Sequence, residues 1–114
     1  MSKKHKYTMN EDLAKYPVFI LVKNQGLIPA EHIKNTDYYN HFFIHAHHFI
    51  EKTIRKNNLE FYKRVEHLQK IILIPANLNY NISSMSDKAF FDEWGIDRAL
   101  VLFNRKKWRE NYYE

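Results

Sequence analysis

The sequence predicts an α+β fold, mostly helical, in one domain spanning residues 1–114. At 114 residues, a second independent core would leave each half near the size at which chains stop folding alone. Ile71-Ile72-Leu73-Ile74 is a continuous, largely β-branched run stopped by Pro75, the strongest strand signal in the chain. Ile50 and Ile54, then Leu59, Tyr62, Val65 and Leu68, recur at three- and four-residue spacing on either side of Asn57 and Asn58. That period marks two helical pieces, each buried on one side.

Taken in order, residues 1–12 are polar, with three lysines and His5, and are expected to form a flexible arm. Val18 to Val22 is apolar and ends in the turn chemistry of Lys23, Asn24, Gln25 and Gly26, which suits a short buried strand or a helix end. Ile28-Pro29-Ala30-Glu31 reads as the entry to a short helix, with Pro29 near the first turn. Tyr38, Tyr39 and Phe42 to Ile44 lead into a histidine cluster. After the strand at residues 71–74, Leu78 and Ile82 lie four apart, as about two turns of helix require, and Asn79 and Ser83 share its polar side. Ser84 or Ser86 caps a helix from Asp87 to Trp94 that Gly95 ends. Ile96 to Phe103 is apolar and fits helix or strand. The tail is basic and aromatic, with Arg105, Lys106, Lys107, Trp108, Tyr112 and Tyr113.

Composition excludes several chemistries. Lys plus Arg number 18 and Asp plus Glu 13, for a formal charge of +5, and a basic surface favours anionic partners, nucleic acid first. Without cysteine there is no disulfide framework, thiol nucleophile or thiolate zinc site. Two glycines, Gly26 and Gly95, cannot build a P-loop or a dinucleotide fingerprint. No apolar run approaches the length of a membrane span, so no membrane association is expected.

Histidine is the remaining source of chemistry. His41, His45, His47 and His48 lie within eight residues. Adjacent histidines on an extended segment point to opposite sides, so His47 can ligate a metal while His48 serves as a general base. That division of labour suits phosphodiester cleavage. On a helix, His41, His45 and His48 would instead share a face and form a different metal site. Arg55 and Lys56, on the polar side of the helical stretch, read either as phosphate contacts or as a solvated face, and Arg105 and Lys107 in the tail either as phosphate contacts or as part of a terminal helix that docks its aromatics on the core.

The run His45-Ala46-His47-His48-Phe49-Ile50, followed by Lys70-Ile71-Ile72-Leu73-Ile74-Pro75-Ala76-Asn77-Leu78-Asn79, resembles the HNH nucleases of the ββα-metal, or His-Me finger, class. The resemblance implies a ββα-metal core at residues 43–84 with a helical insert. By position, His47 matches a metal ligand, His48 the general base, Asn79 the helix-borne ligand and Ser83 a further ligand. Within the cluster itself, His45 is expected to support these ligands from outside or to serve as an alternative ligand. Lys70 falls where the family's central Asn braces the metal loop, and a catalytic contact to phosphate is expected of it instead. The implied activity is endonucleolytic hydrolysis of DNA with a divalent ion, Mg²⁺, Mn²⁺ or Zn²⁺. A looser similarity to nuclease domains of bacterial polymorphic toxins implies secretion, delivery to a target cell and a cognate acidic immunity protein. The competing classes are a metal-independent RNase and a non-catalytic nucleic-acid-binding module.

Overall fold

The computed structural model of the protein describes residues 11–30 and 44–104. A helical turn, α1 (residues 11–15), precedes strands β1 (Val18–Val22) and β2 (Gly26–Pro29). Strand β3 (Ile44–His48) is followed by helices α2 (Lys52–Asn57) and α3 (Leu59–Val65). Strand β4 (Ile71–Pro75) then runs directly into α4 (Ala76–Asn81), and α5 (Asp87–Trp94) follows. Among the described residues the strands form one mixed sheet of order β2-β1-β4-β3. β4 is parallel to β1 and antiparallel to β3, and β1 and β2 are an antiparallel pair.

The position of β4 follows from its composition. A strand buried on both faces needs an uninterrupted apolar run, and all four residues from Ile71 to Ile74 are buried. Alternation sends Ile72 and Ile74 into the larger core, with Phe61, Tyr62 and Val65 of α3, Leu78 of α4, and Phe90 and Trp94 of α5. Ile71 and Leu73 join a smaller core with Leu13, Tyr16, Val18 and Ala30. The two helical pieces expected between Ile50 and Gln69 are α2 and α3, divided at Asn58, whose side chain accepts from the Phe61 amide. The final helix is capped as its residues suggest. Ser86 accepts from the Ala89 amide and Gly95 closes the C-terminus at φ 78°.

Three expectations are corrected. Pro29 does not start a helix: it ends β2, opposite Phe19. β2 is an edge strand, where proline's missing N–H leaves no central ladder bond unmade. Residues 11 and 12 are not part of a flexible arm, because they lie in α1 and Asp12 is only 5% exposed, its carboxylate paired with a buried histidine. Residues 1–10 lie outside the described residues. Residues 96–103, fitted equally by helix or strand, contain only a 3₁₀ turn at Arg98–Leu100, after which the Phe103 amide donates to the Phe49 carbonyl.

The β1–β2 turn is fastened to the end of α5. Asn24, at φ 61°, donates its amide to the Trp94 carbonyl at 2.9 Å. A Cβ on Gly95 would meet Asn24 Oδ1 at 2.5 Å, in a backbone conformation that costs L-residues energy in any case. Gly95→Ala is therefore expected to lower stability by about 1–2 kcal/mol, read as a fall in the urea midpoint. An unchanged midpoint would show that the turn and α5 are not held together in this way.

Candidate functional site

The register of β3 sorts its histidines. His47 lies opposite Ile72 and His45 opposite Ile74, whereas His48 lies opposite Ile71. Alternation therefore places His45 and His47 on the side of the larger core and His48 on the side of α1. The extended reading of this segment holds, and the helical three-histidine arrangement does not: His45 and His48 are on opposite faces, and His41 lies outside the described residues.

His48 is buried with Asp12. Its Nε2–H donates to Asp12 Oδ2 at 2.8 Å, and Arg55 on α2 donates to both oxygens of the same carboxylate at 3.3 and 3.2 Å. With Nε2 carrying the proton, Nδ1 is the lone-pair nitrogen of the neutral ring. Burial pushes the His48 pKa below the ordinary histidine value. The Asp12 hydrogen bond and charge oppose this, while the positive charges of Lys52 and Arg55 add to it. For Asp12, burial is the largest influence and acts upward, but the bonds and charges of His48 and Arg55 together outweigh it and hold the carboxyl below its usual range.

His47 is fixed differently. Its Nε2–H donates to the Val101 carbonyl at 3.0 Å, which again leaves Nδ1 as the acceptor. Burial lowers the His47 pKa as well, against the Val101 bond. The Asn79 amide, on α4, donates Nδ2–H to His45 Nδ1 at 3.0 Å, and its side chain weakly opposes the lowering of the His47 pKa. His45 also meets the edge of the exposed Tyr80 ring, 5.4 Å between centroids.

His47, His48, Asn79 and Ser83 line one pocket of about 320 Å³, together with Glu51, Lys52 and Thr53. Four positions separated by as many as 36 residues thus border one pocket, with His47 and His48 reaching it from opposite faces of β3. His45 borders this group through Asn79. Lys70 does not join it. Its ammonium sits 4.6 Å from the Phe49 ring centre and 5.9 Å from that of Phe19, held by aromatic faces on another part of the surface.

Beside Lys70, the Gln69 side chain bridges to Ile50. Its Oε1 accepts from the Ile50 amide at 2.8 Å and its Nε2 donates to the Ile50 carbonyl at 3.0 Å. This buried amide pins the loop after β3 to the start of β4. Arg55 is committed to Asp12, so a phosphate contact would compete with that pair. Lys56 is exposed on α2, and Arg105 and Lys107 lie outside the described residues. Sequence reasoning missed Asp12, Glu51 and Gln69. Glu51 follows the histidines within three residues, and Gln69 adjoins the strand signal. Asp12 has no local signal at all.

Both lowered histidines bind protons more weakly folded than unfolded. Stability is then fullest above the unfolded value of 6.5 and is lost as pH falls through the lower folded values. Asp12 adds a further loss below its unfolded value of 3.8. Urea midpoints measured from neutral to acid pH should begin to fall below about pH 6.5, and His48→Gln should flatten part of that slope. A midpoint independent of pH across this window would contradict the buried neutral rings.

No family model matches the chain, and no curated protein or solved structure matches it significantly.

Proposed function

We propose that this chain is an endonuclease that hydrolyses phosphodiester bonds of DNA, with His48 as the general base. The observation that carries the reading is the buried Asp12–His48 pair bordering a pocket shared with His47, Asn79 and Ser83. An imidazole whose Nε2–H is held by a carboxylate keeps a defined tautomer and turns its lone pair to one task. His48 Nδ1 takes a proton from water as the water oxygen bonds to phosphorus. The P–O3′ bond breaks, and the departing oxygen takes a proton from solvent. Asp12 stabilises the imidazolium that forms, and Arg55 keeps Asp12 ionised. Lys52, in the same pocket, offers positive charge to the phosphate oxygens.

The donors available for a metal are His47 Nδ1, the Asn79 amide oxygen, the Ser83 hydroxyl and the Glu51 carboxylate. The His47 bond to the Val101 carbonyl is the kind of outer contact that orients a ligating imidazole. Among the described residues no three His, Asp or Glu side chains are grouped closely enough to hold a metal ion by themselves. Such nitrogen and oxygen donors suit a hard, partly hydrated ion, Mg²⁺ or Mn²⁺, better than a four-coordinate Zn²⁺. An ion held there by His47 and Asn79 would supply charge stabilisation to the phosphorane and the leaving oxygen.

Lys52 favours one second reading. A pocket with its own cation can cleave RNA without metal, His48 then taking the proton from the ribose 2′-OH. The toxin setting, with an acidic immunity partner, rests on the resemblance and on the +5 charge.

The test is nicking of plasmid DNA across a panel of divalent ions, with RNA as a parallel substrate. The parent should cut DNA and lose activity in chelator. His48→Ala should be slower by at least about 100-fold, and Asp12→Asn should fall between the two. A His48→Ala variant that cuts at the parental rate would overturn the assignment, while RNA cleavage that persists in chelator would select the second reading.

A further inference from the structure

A second pocket, of about 630 Å³, lies on the other flank of α4. Asn79, Ile82 and Ser83 face the histidine pocket, whereas Asn77, Asn81 and Ser84 line this one. That division is the one expected of two sides of a single helix and the turn that follows it. Tyr80, 76% exposed, stands on the outer surface between them.

The second pocket has a definite chemical character. Lys23 and Glu93 supply one charge of each sign, Asn77, Asn81 and Ser84 supply neutral donors and acceptors, and Trp94 supplies an aromatic wall. The Lys23 ammonium lies 5.4 Å from the Trp94 ring centre. The backbone that carries it is fastened here, because the neighbouring Asn24 amide is bonded to the Trp94 carbonyl and Asn24 lies close against Gly95. Trp94 also holds the one buried side-chain nitrogen without an acceptor among the described residues, Nε1. A buried orphan donor of this kind calls for an explanation in the molecule's use.

We propose that this pocket is a nucleotide subsite, which holds a neighbouring nucleotide of the same strand whose cleavage is assigned to His48. The inference rests on that assignment for the identity of the strand and on this pocket alone for the site. A simple anion would be attracted by Lys23 and repelled by Glu93. A nucleotide satisfies both, its phosphate pairing with Lys23 and a base amino group donating to Glu93, while the amides of Asn77 and Asn81 match base edges. The Trp94 side of the pocket offers the base an aromatic surface. The two pockets are separated by the thickness of one helix, about 10 Å, a span that a few nucleotides cover, with Tyr80 available for stacking on the way.

The experiment uses the full chain carrying Trp108→Phe, which leaves Trp94 as the sole tryptophan. A short single-stranded oligodeoxynucleotide of mixed sequence is titrated in chelator while Trp94 emission is followed. The expected result is a saturable change, with Kd raised about tenfold by Lys23→Gln, the loss of one charge-assisted bond. In cleavage assays Lys23→Gln should raise KM and leave kcat unchanged. A silent Trp94, or a Kd indifferent to Lys23→Gln, overturns the subsite even if the parent cuts DNA. A saturable, Lys23-dependent change in a protein that cuts neither DNA nor RNA keeps the subsite and removes the nuclease assignment.

Discussion

The Asp12 carboxylate is buried where an unpaired negative charge would be costly, and the arrangement around the site depends on how that cost is met. Three elements contribute: α1 carries the carboxylate, β3 the His48 ring and α2 the Arg55 guanidinium. Removing one partner of such a buried set typically costs about 3–5 kcal/mol, because the other charge is left uncompensated. The same bonds select the His48 tautomer, so a contact that holds α1 against the sheet also decides which nitrogen is basic. Structure and chemistry here draw on one interaction.

Around it lies a second polar framework. Gln69 clamps both backbone groups of Ile50 and donates to the Tyr62 hydroxyl at 3.3 Å. Tyr62 donates to Tyr16 at 2.9 Å, and Tyr16 to Glu66 at 2.6 Å. Burial and these bonds push the Tyr16 pKa far above its usual value, so its hydroxyl stays a donor. The chain of bonds runs from the loop after β3 to the edge of α1 and fixes the approach of the residues that carry Asp12 and His48. Satisfied networks of this kind favour one arrangement of the core over near alternatives.

Local signals made much of the fold legible. The β-branched run at β4, the three- and four-residue apolar spacing of α3 and the Ser86 and Gly95 caps of α5 each act within one element and carry its physics in a few residues. The opposite facing of His47 and His48 and the shared side of Asn79 and Ser83 were readable from strand and helix period, but that all four border one pocket follows from the packing of α4 against β3. What escaped was non-local or one residue out of step. Pro29 sits in a strand because of its edge position, which only the sheet order reveals. Gln69, beside Lys70, bridges to Ile50, a contact that spacing alone does not reveal. Asp12 lies 36 residues from its partner, with no periodicity linking the two.

The central claim is that Asp12 holds His48 as a neutral ring with its proton on Nε2 and its lone pair on Nδ1. Nitrogen-15 NMR of the histidine side chains reads both properties at once. The account predicts the Nε2–H form of His48 at about pH 7, titrating below 6.5, with the Nε2–H form lost or mixed in Asp12→Asn. A His48 ring that is protonated on both nitrogens at that pH, or that carries its proton on Nδ1, would contradict it.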